Sequence, residues 1–149
     1  MTQRIRLALS RDDVVAEAKL LEHEAPETCT ALWEALPLSG ELQHAIWSGP
    51  ETYLLIDPSI RVPPENQITR AEAGDIAFYS VTGGRIVDWP DDIAELAFFY
   101  GRGAQPAMPT GPVAVNLFAR IVDNLAGFAE ACERMRREGI QELRVERTG

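Results

Sequence analysis

Apolar and polar residues alternate from residue 3 to residue 9, with Ile5, Leu7 and Leu9 on one face and Arg4 and Arg6 on the other. A period of two predicts a half-buried strand. Asp12 and Asp13 mark a turn, and alternation resumes over residues 14–20, with Val14, Ala16, Ala18 and Leu20 opposite Val15, Glu17 and Lys19. The two runs predict a hairpin. In EAPETCTALWEALP the period changes: Cys29, Leu32, Trp33 and Leu36 recur at helical spacing. Pro26 suits a first helical turn, where its missing N–H costs nothing, and Pro37 ends the helix. Further strands are expected over residues 41–47, 52–56, 75–81, 94–100 and 113–122, the last with Val113, Val115, Leu117 and Ala119 on one side. A short strand is expected over 85–87, after the Gly83-Gly84 turn signal. Leu125, Phe128, Ala129, Cys132 and Met135 form the apolar stripe of a second helix over 123–138, with Gly139 as its C-terminal cap. Residues 140–145 close the chain as a strand.

The order is strand, strand, helix, a run of strands, helix, strand. Two helices cannot cover a parallel sheet, so the sheet is expected to be antiparallel and to protect its edges by closing into a barrel. Two long connections interrupt the pattern, 58–73 with Pro63-Pro64 and 101–112 rich in Gly and Pro. Loops of that length in a small domain are functional or packed on the surface. The 149 residues suit one domain, with 46% hydrophobic and 25% charged residues, an ordinary globular composition.

Charge narrows the partners. Fourteen Lys and Arg against 23 Asp and Glu leave a net charge of -9, which disfavours nucleic-acid backbones and anionic membranes. The basic cluster Arg134, Arg136 and Arg137 falls on the second helix and reads as a solvated face. Cys29 and Cys132 sit among alanines and aromatics, as buried small hydrophobes do, and form no disulfide framework. The N-terminal apolar stretch alternates and is short for a signal peptide, and no run is long enough to span a membrane. A cytoplasmic protein is the expectation.

Local sequence adds a resemblance. AEAKLLEHEAPETCTALWEAL is similar to the second strand and first helix of cyclophilins, and NLFARIVDNLAGFAEACERM to their later strand and second helix. HAIWSGPETYLLI, PPENQ, GDIAFY, AFFYGRG and VAVNLFARI resemble more closely a family of bacterial cyclophilin-like proteins with no assigned activity. The resemblance covers nearly the whole chain and implies a mainly β fold, a closed antiparallel cyclophilin-like barrel with two helices. It does not carry the isomerase chemistry. Prolyl isomerases of that fold have an arginine directly after a histidine in one strand, whereas Gln43-His44-Ala45-Ile46 places Ala45 there. Their glutamine-glycine-glycine-aspartate segment is also missing.

Candidate chemistry concentrates in one segment. His44, Trp47, Ser48, Glu51 and Tyr53 are the densest polar and aromatic cluster. If 42, 44 and 46 share a strand face, His44 points with Leu42 and Ile46 toward the barrel, either as a hydrogen-bonded core histidine or as a ligand contact. Ser48 with His44 would be a nucleophile and base only with an orienting acid, and none is identifiable. Arg102, in Tyr100-Gly101-Arg102-Gly103, suits a carboxylate partner or a mobile surface loop. Asn116, a polar amide in an apolar strand, must bond to a loop or face a pocket. Phe98, Tyr100, Met108 and Phe118 are core residues or pocket lining. His23 lies between Glu22 and Glu24 without ligand spacing, so no metal is expected, nor any cofactor. The leading expectation is a binding module for a small molecule or peptide in a cleft on the barrel. Its candidate contacts are His44, Trp47, Ser48, Glu51, Tyr53, Tyr100, Arg102, Asn116 and Phe118. The alternatives are an enzyme, a residual prolyl isomerase or a hydrolase using His44 as base, and a homo-oligomeric assembly protein.

Overall fold

The computed structural model describes residues 2–85 and 89–148. Its elements run β1 (Arg4–Leu9), β2 (Val14–Leu20), α1 (Pro26–Ala35), β3 (Leu38–His44), β4 (Glu51–Ile56), β5 (Gln67–Ile68), β6 (Asp75–Val81), β7 (Ile93–Phe99), β8 (Ala107–Met108), β9 (Gly111–Pro112), β10 (Val115–Asp123), α2 (Leu125–Glu138) and β11 (Gln141–Arg147). Every pairing is antiparallel, in the order β2-β1-β11-β3-β4-β7-β6-β10, and β10 returns to pair with β2. The barrel is therefore closed by eight strands, and among the described residues no long edge is left unpaired. The short β5 extends β10, and β8 with β9 forms a separate two-stranded ladder.

Alternation decides what faces inward. Ile5, Leu7 and Leu9 of β1, Leu54 of β4 and Ala94, Leu96 and Phe98 of β7 fill one buried cluster. Cys29 and Leu32 of α1 and Phe128, Cys132 and Met135 of α2 join it. Each helix thus buries one stripe in the barrel core, and Phe98 meets Phe128 with ring centroids 5.9 Å apart. A second, smaller cluster lies on the outer face: Ala77, Ala97, Phe99 and Val115 are covered by Ala71 and Ala104 from the two long connections. The Ala71 N–H donates to the Ala104 carbonyl at 3.0 Å. Both connections are packed against the sheet.

Three local expectations are corrected. The strand expected over 41–47 begins at Leu38 and ends at His44, so Ile46 and Trp47 leave the sheet. The face shared by 42, 44 and 46 does not exist: Leu42 is buried, His44 is half-buried and Ile46 is 79% exposed. In β10 the alternation breaks at a bulge, because Leu117 pairs with Ala77 and Ala119 with the adjacent Ile76. The extra residue switches the inward side. Phe118, Ala119 and Ile121 enter the barrel core, while Val115 packs in the outer cluster. Of the strand expected over 85–87, Ile86 and Val87 lie outside the described residues.

The first helix carries an unusual cap. Ala25 occupies its N-cap position and has no side chain to accept a bond. Glu65, from the 58–73 connection, supplies the acceptor instead: its carboxylate accepts from the Glu27 N–H at 3.1 Å, the Thr28 N–H at 2.9 Å and the Thr28 hydroxyl at 2.8 Å. An acid at a helix N-terminus also complements the helix dipole. No described helix is long and apolar enough to cross a membrane.

Candidate functional site

The outer face of β4 and β7 forms the floor of a cleft of about 500 Å³. Thr52 and Leu54 of β4 point into the barrel, so Glu51, Tyr53 and Leu55 point out. On β7 the same rule turns Glu95 outward, opposite Leu55 in register. Three segments wall this face: the β3–β4 turn with Ala45, Ile46, Trp47 and Ser48, the β6–β7 connection with Trp89, Pro90, Asp91 and Ile93, and the β8 pair Ala107 and Met108. Gly83 is required for the second wall, since a Cβ there would collide with the Pro90 carbonyl. The Gly83 N–H instead donates to the Asp92 carboxylate at 2.7 Å, and the Gly84 N–H to the Trp89 carbonyl at 2.9 Å. Ser48 ties the first wall to the third, its hydroxyl accepting from the Ala107 N–H at 3.0 Å.

Three carboxyl groups line this cleft, from Glu51, Asp91 and Glu95, and no Lys, Arg or His among the described residues does. Glu51 is only 4% exposed. Burial pushes its carboxyl up to about 7, with the Ser48 hydroxyl pulling the other way. Burial, then the charge of Glu51, pushes Glu95 up to about 8. Burial also raises the Tyr53 phenol above its ordinary range, with Glu95 and Glu51 adding to the effect. Neither Glu51 nor Glu95 has an ion-pair partner among the described residues. Near neutrality the floor is thus a pair of carboxyl groups that ionise at modest cost once a cation arrives.

His44 belongs to a different constellation. Its Nε2 lies 2.6 Å from the Tyr100 hydroxyl and its Nδ1 2.8 Å from the Ala45 carbonyl. Tyr100 also donates to Glu133 of α2 at 2.9 Å, and Arg136 donates to the same carboxylate at 3.2 Å. Burial and the Arg136 charge lower the His44 pKa, against the Ala45 and Glu133 contacts that raise it. With both ring nitrogens engaged and the Ser48 hydroxyl held by Ala107, the two residues form no nucleophile–base pair.

Of the nine candidate residues, Trp47, Ser48, Glu51 and Tyr53 are brought together at the cleft. His44 and Tyr100 meet each other beside α2 instead. Phe118 is 1% exposed in the barrel core. Asn116 is buried as a tie: its amide donates to the Thr28 hydroxyl at 3.2 Å and the Pro63 carbonyl at 3.0 Å, and accepts from the Glu65 N–H and the Gln67 side chain at 3.2 Å. Arg102 is exposed and makes no hydrogen bond or salt bridge in the described structure. Sequence reasoning missed Glu95 and Trp89. The signal for Glu95 was present, as the lone acid in an otherwise apolar strand. Trp89 carried none, because only the folding of its connection brings it over the sheet. Among the described residues, no group of three or more His, Cys, Asp or Glu is placed to hold a metal ion.

Fold and cleft together define a small closed antiparallel barrel with an acidic, aromatic-walled cleft on its outer surface. The chain belongs to a family described as a protein of unknown function, DUF3830, whose model matches residues 7–146. No curated protein matches the sequence significantly. Among solved structures it is similar to McbB, determined in complex with tryptophan, with a TM-score of 0.70 and 21% identity. That match takes in 97% of this chain and 45% of McbB, so the chain spans less than half of that protein. It is also similar to the hypothetical protein AF2241 from Archaeoglobus fulgidus, with a TM-score of 0.58 and 24% identity over 99% of this chain and 95% of that one. These likenesses show a shared fold.

Proposed function

We propose that this protein is a noncatalytic binding module that holds a small molecule in the cleft over β4 and β7. One observation carries the reading: a cleft of about 500 Å³, walled by Trp47, Trp89 and Met108, with Leu55 and a nearly fully buried glutamate in its floor. Volumes of roughly 300–1,000 Å³ with apolar walls and a few converging polar groups are typical of small-molecule sites. McbB, which contains a related fold and was solved in complex with tryptophan, offers a precedent for a small-molecule ligand in a protein that carries this fold. Prolyl-isomerase turnover is not part of the proposal, because Ala45 stands where the sequence resemblance would place the isomerase arginine. The test is a fragment screen by ligand-observed NMR with Trp fluorescence as second readout. Hits should lose at least tenfold in affinity in Trp47→Ala and be unchanged in Arg102→Ala. Hits indifferent to Trp47 would refute the assignment.

A second reading rests on Ile46, Trp47 and Leu55, which are 79%, 51% and 51% exposed beside the same cleft. Such a patch suits pairing with another copy of the chain. Sedimentation of the parent and of Ile46→Asp decides it: a dimer lost on substitution supports this reading, and a monomeric parent removes it.

A further inference from the structure

We propose that the ligand class of the cleft is a small organic ammonium ion, whose positive charge is received by the Glu51 and Glu95 carboxylates while its apolar body lies between Trp47 and Trp89. The inference deepens the binding-module reading and rests on it.

Charge complementarity is the first argument. The ionisable groups facing the cleft are Glu51 and Tyr53 from β4, Glu95 from β7 and Asp91 from the β6–β7 connection. All are acidic, and no basic side chain among the described residues lines the cleft to neutralise them. The protein as a whole carries a net charge of -9, which favours the approach of cations and opposes that of anions. An anionic ligand would meet three carboxyl groups and, among the described residues, no cationic side chain.

Burial is the second argument. Glu51 is 4% exposed yet lines the cleft, so its carboxyl keeps little contact with water and has no ion partner among the described residues. Burial without a counter-ion favours the neutral form of an acid, and a cation placed beside it favours the charged form. An ammonium group supplies that cation, with three N–H donors for carboxylate oxygens. The aromatic walls are the third argument: cations are attracted to the faces of indole rings, and an apolar ligand body gains by leaving water there.

Binding on these terms exchanges protons in a defined way. The amine arrives and remains protonated. Each carboxyl that ionises against it releases one proton to solvent, and no covalent bond changes. Affinity should therefore rise with pH through the range where Glu51 and Glu95 are still protonated, from about 6 to about 8, and level off above it.

Three probes that share a phenylethyl body test the proposal: 2-phenylethylammonium, its isostere 2-phenylethanol, and 3-phenylpropionate. Each is titrated into the full chain by calorimetry in two buffers of different ionisation enthalpy, at three pH values. The expected result is that the ammonium binds at least tenfold tighter than the alcohol and the carboxylate at about pH 7.5, with proton release. Glu51→Gln and Glu95→Gln should each reduce the ammonium preference, and the double variant should abolish it together with the proton release, while the alcohol binds all forms alike. Both replacements are isosteric with the neutral acid, and circular dichroism verifies that they fold. Equal binding of ammonium and alcohol would overturn the ammonium assignment and leave the small-molecule reading standing. Absence of binding by all three probes, with no hit from the fragment screen, would overturn both. Tighter binding of the carboxylate would overturn the charge argument directly.

Discussion

Replacing Glu51 by glutamine should make the protein more stable at alkaline pH and flatten its stability curve. The folded carboxyl titrates at about 7, against an ordinary value of 4.5. Its pKa is raised, so the folded state holds the proton more tightly than the unfolded chain does. Stability is then greatest below about pH 4.5 and falls as pH rises, because the unfolded chain releases its proton first; the loss is complete once the folded group also ionises. The gap between the two values corresponds to about 3 kcal/mol, of which about 2.5 kcal/mol disappears between about pH 5 and pH 8. Glutamine fills the same volume and cannot ionise, so this loss is absent in Glu51→Gln. For a domain of this size the gap between the two proteins should open by roughly 5–10 °C in melting temperature over that range. The assay is a urea or thermal unfolding series at about half-unit pH intervals on both proteins. Glu95 titrates in both, so the difference curve isolates Glu51, apart from the repulsion that Glu51 adds to its neighbour. Parallel curves would refute the reasoning and show that the Glu51 carboxylate is solvated at neutral pH.

Asn116→Ala should cost about 2–3 kcal/mol in urea unfolding, because four partners of a buried amide are left unpaired together; a loss below about 0.5 kcal/mol would show that the loop it ties is held by other contacts. Cys29 and Cys132, both buried and both pushed up to about 12, should react with a thiol reagent only on the timescale of unfolding, and rapid native labelling of either would contradict their burial. A proline-peptide isomerisation assay at micromolar protein should show no acceleration, whereas robust turnover would mean that the residue at position 45 is not the determinant.

Local pattern carried most of the architecture. β2 and β6 span the residues expected of them, β2 with the alternation that predicted it, and α1 and α2 differ from the expected spans only at their ends. Closure followed from counting: too few helices to cover a sheet, so the sheet covers itself, and β2 does pair with β10. Periodicity reports only on whether a residue faces a core, so it failed where two cores meet one strand. β10 serves the barrel core and the outer cluster in turn, and the bulge at Phe118 that switches between them is set by pairing with β6, not by the residues of β10 alone. The same limit governed the site. Trp47, Ser48, Glu51 and Tyr53 were legible because they are neighbours in sequence. His44 and Tyr100 were read as ligand contacts because nothing local shows that they meet each other across 56 residues of chain, or that Tyr100 reaches Glu133 across 33. Glu95 and Trp89 became part of the cleft only when β7 paired with β4 and its connection folded back over the sheet. Sequence by itself determined which faces are apolar and where the chain turns, since those depend on neighbouring residues. Only the tertiary structure decided which acids are stripped of water, because desolvation depends on what the rest of the chain places above them.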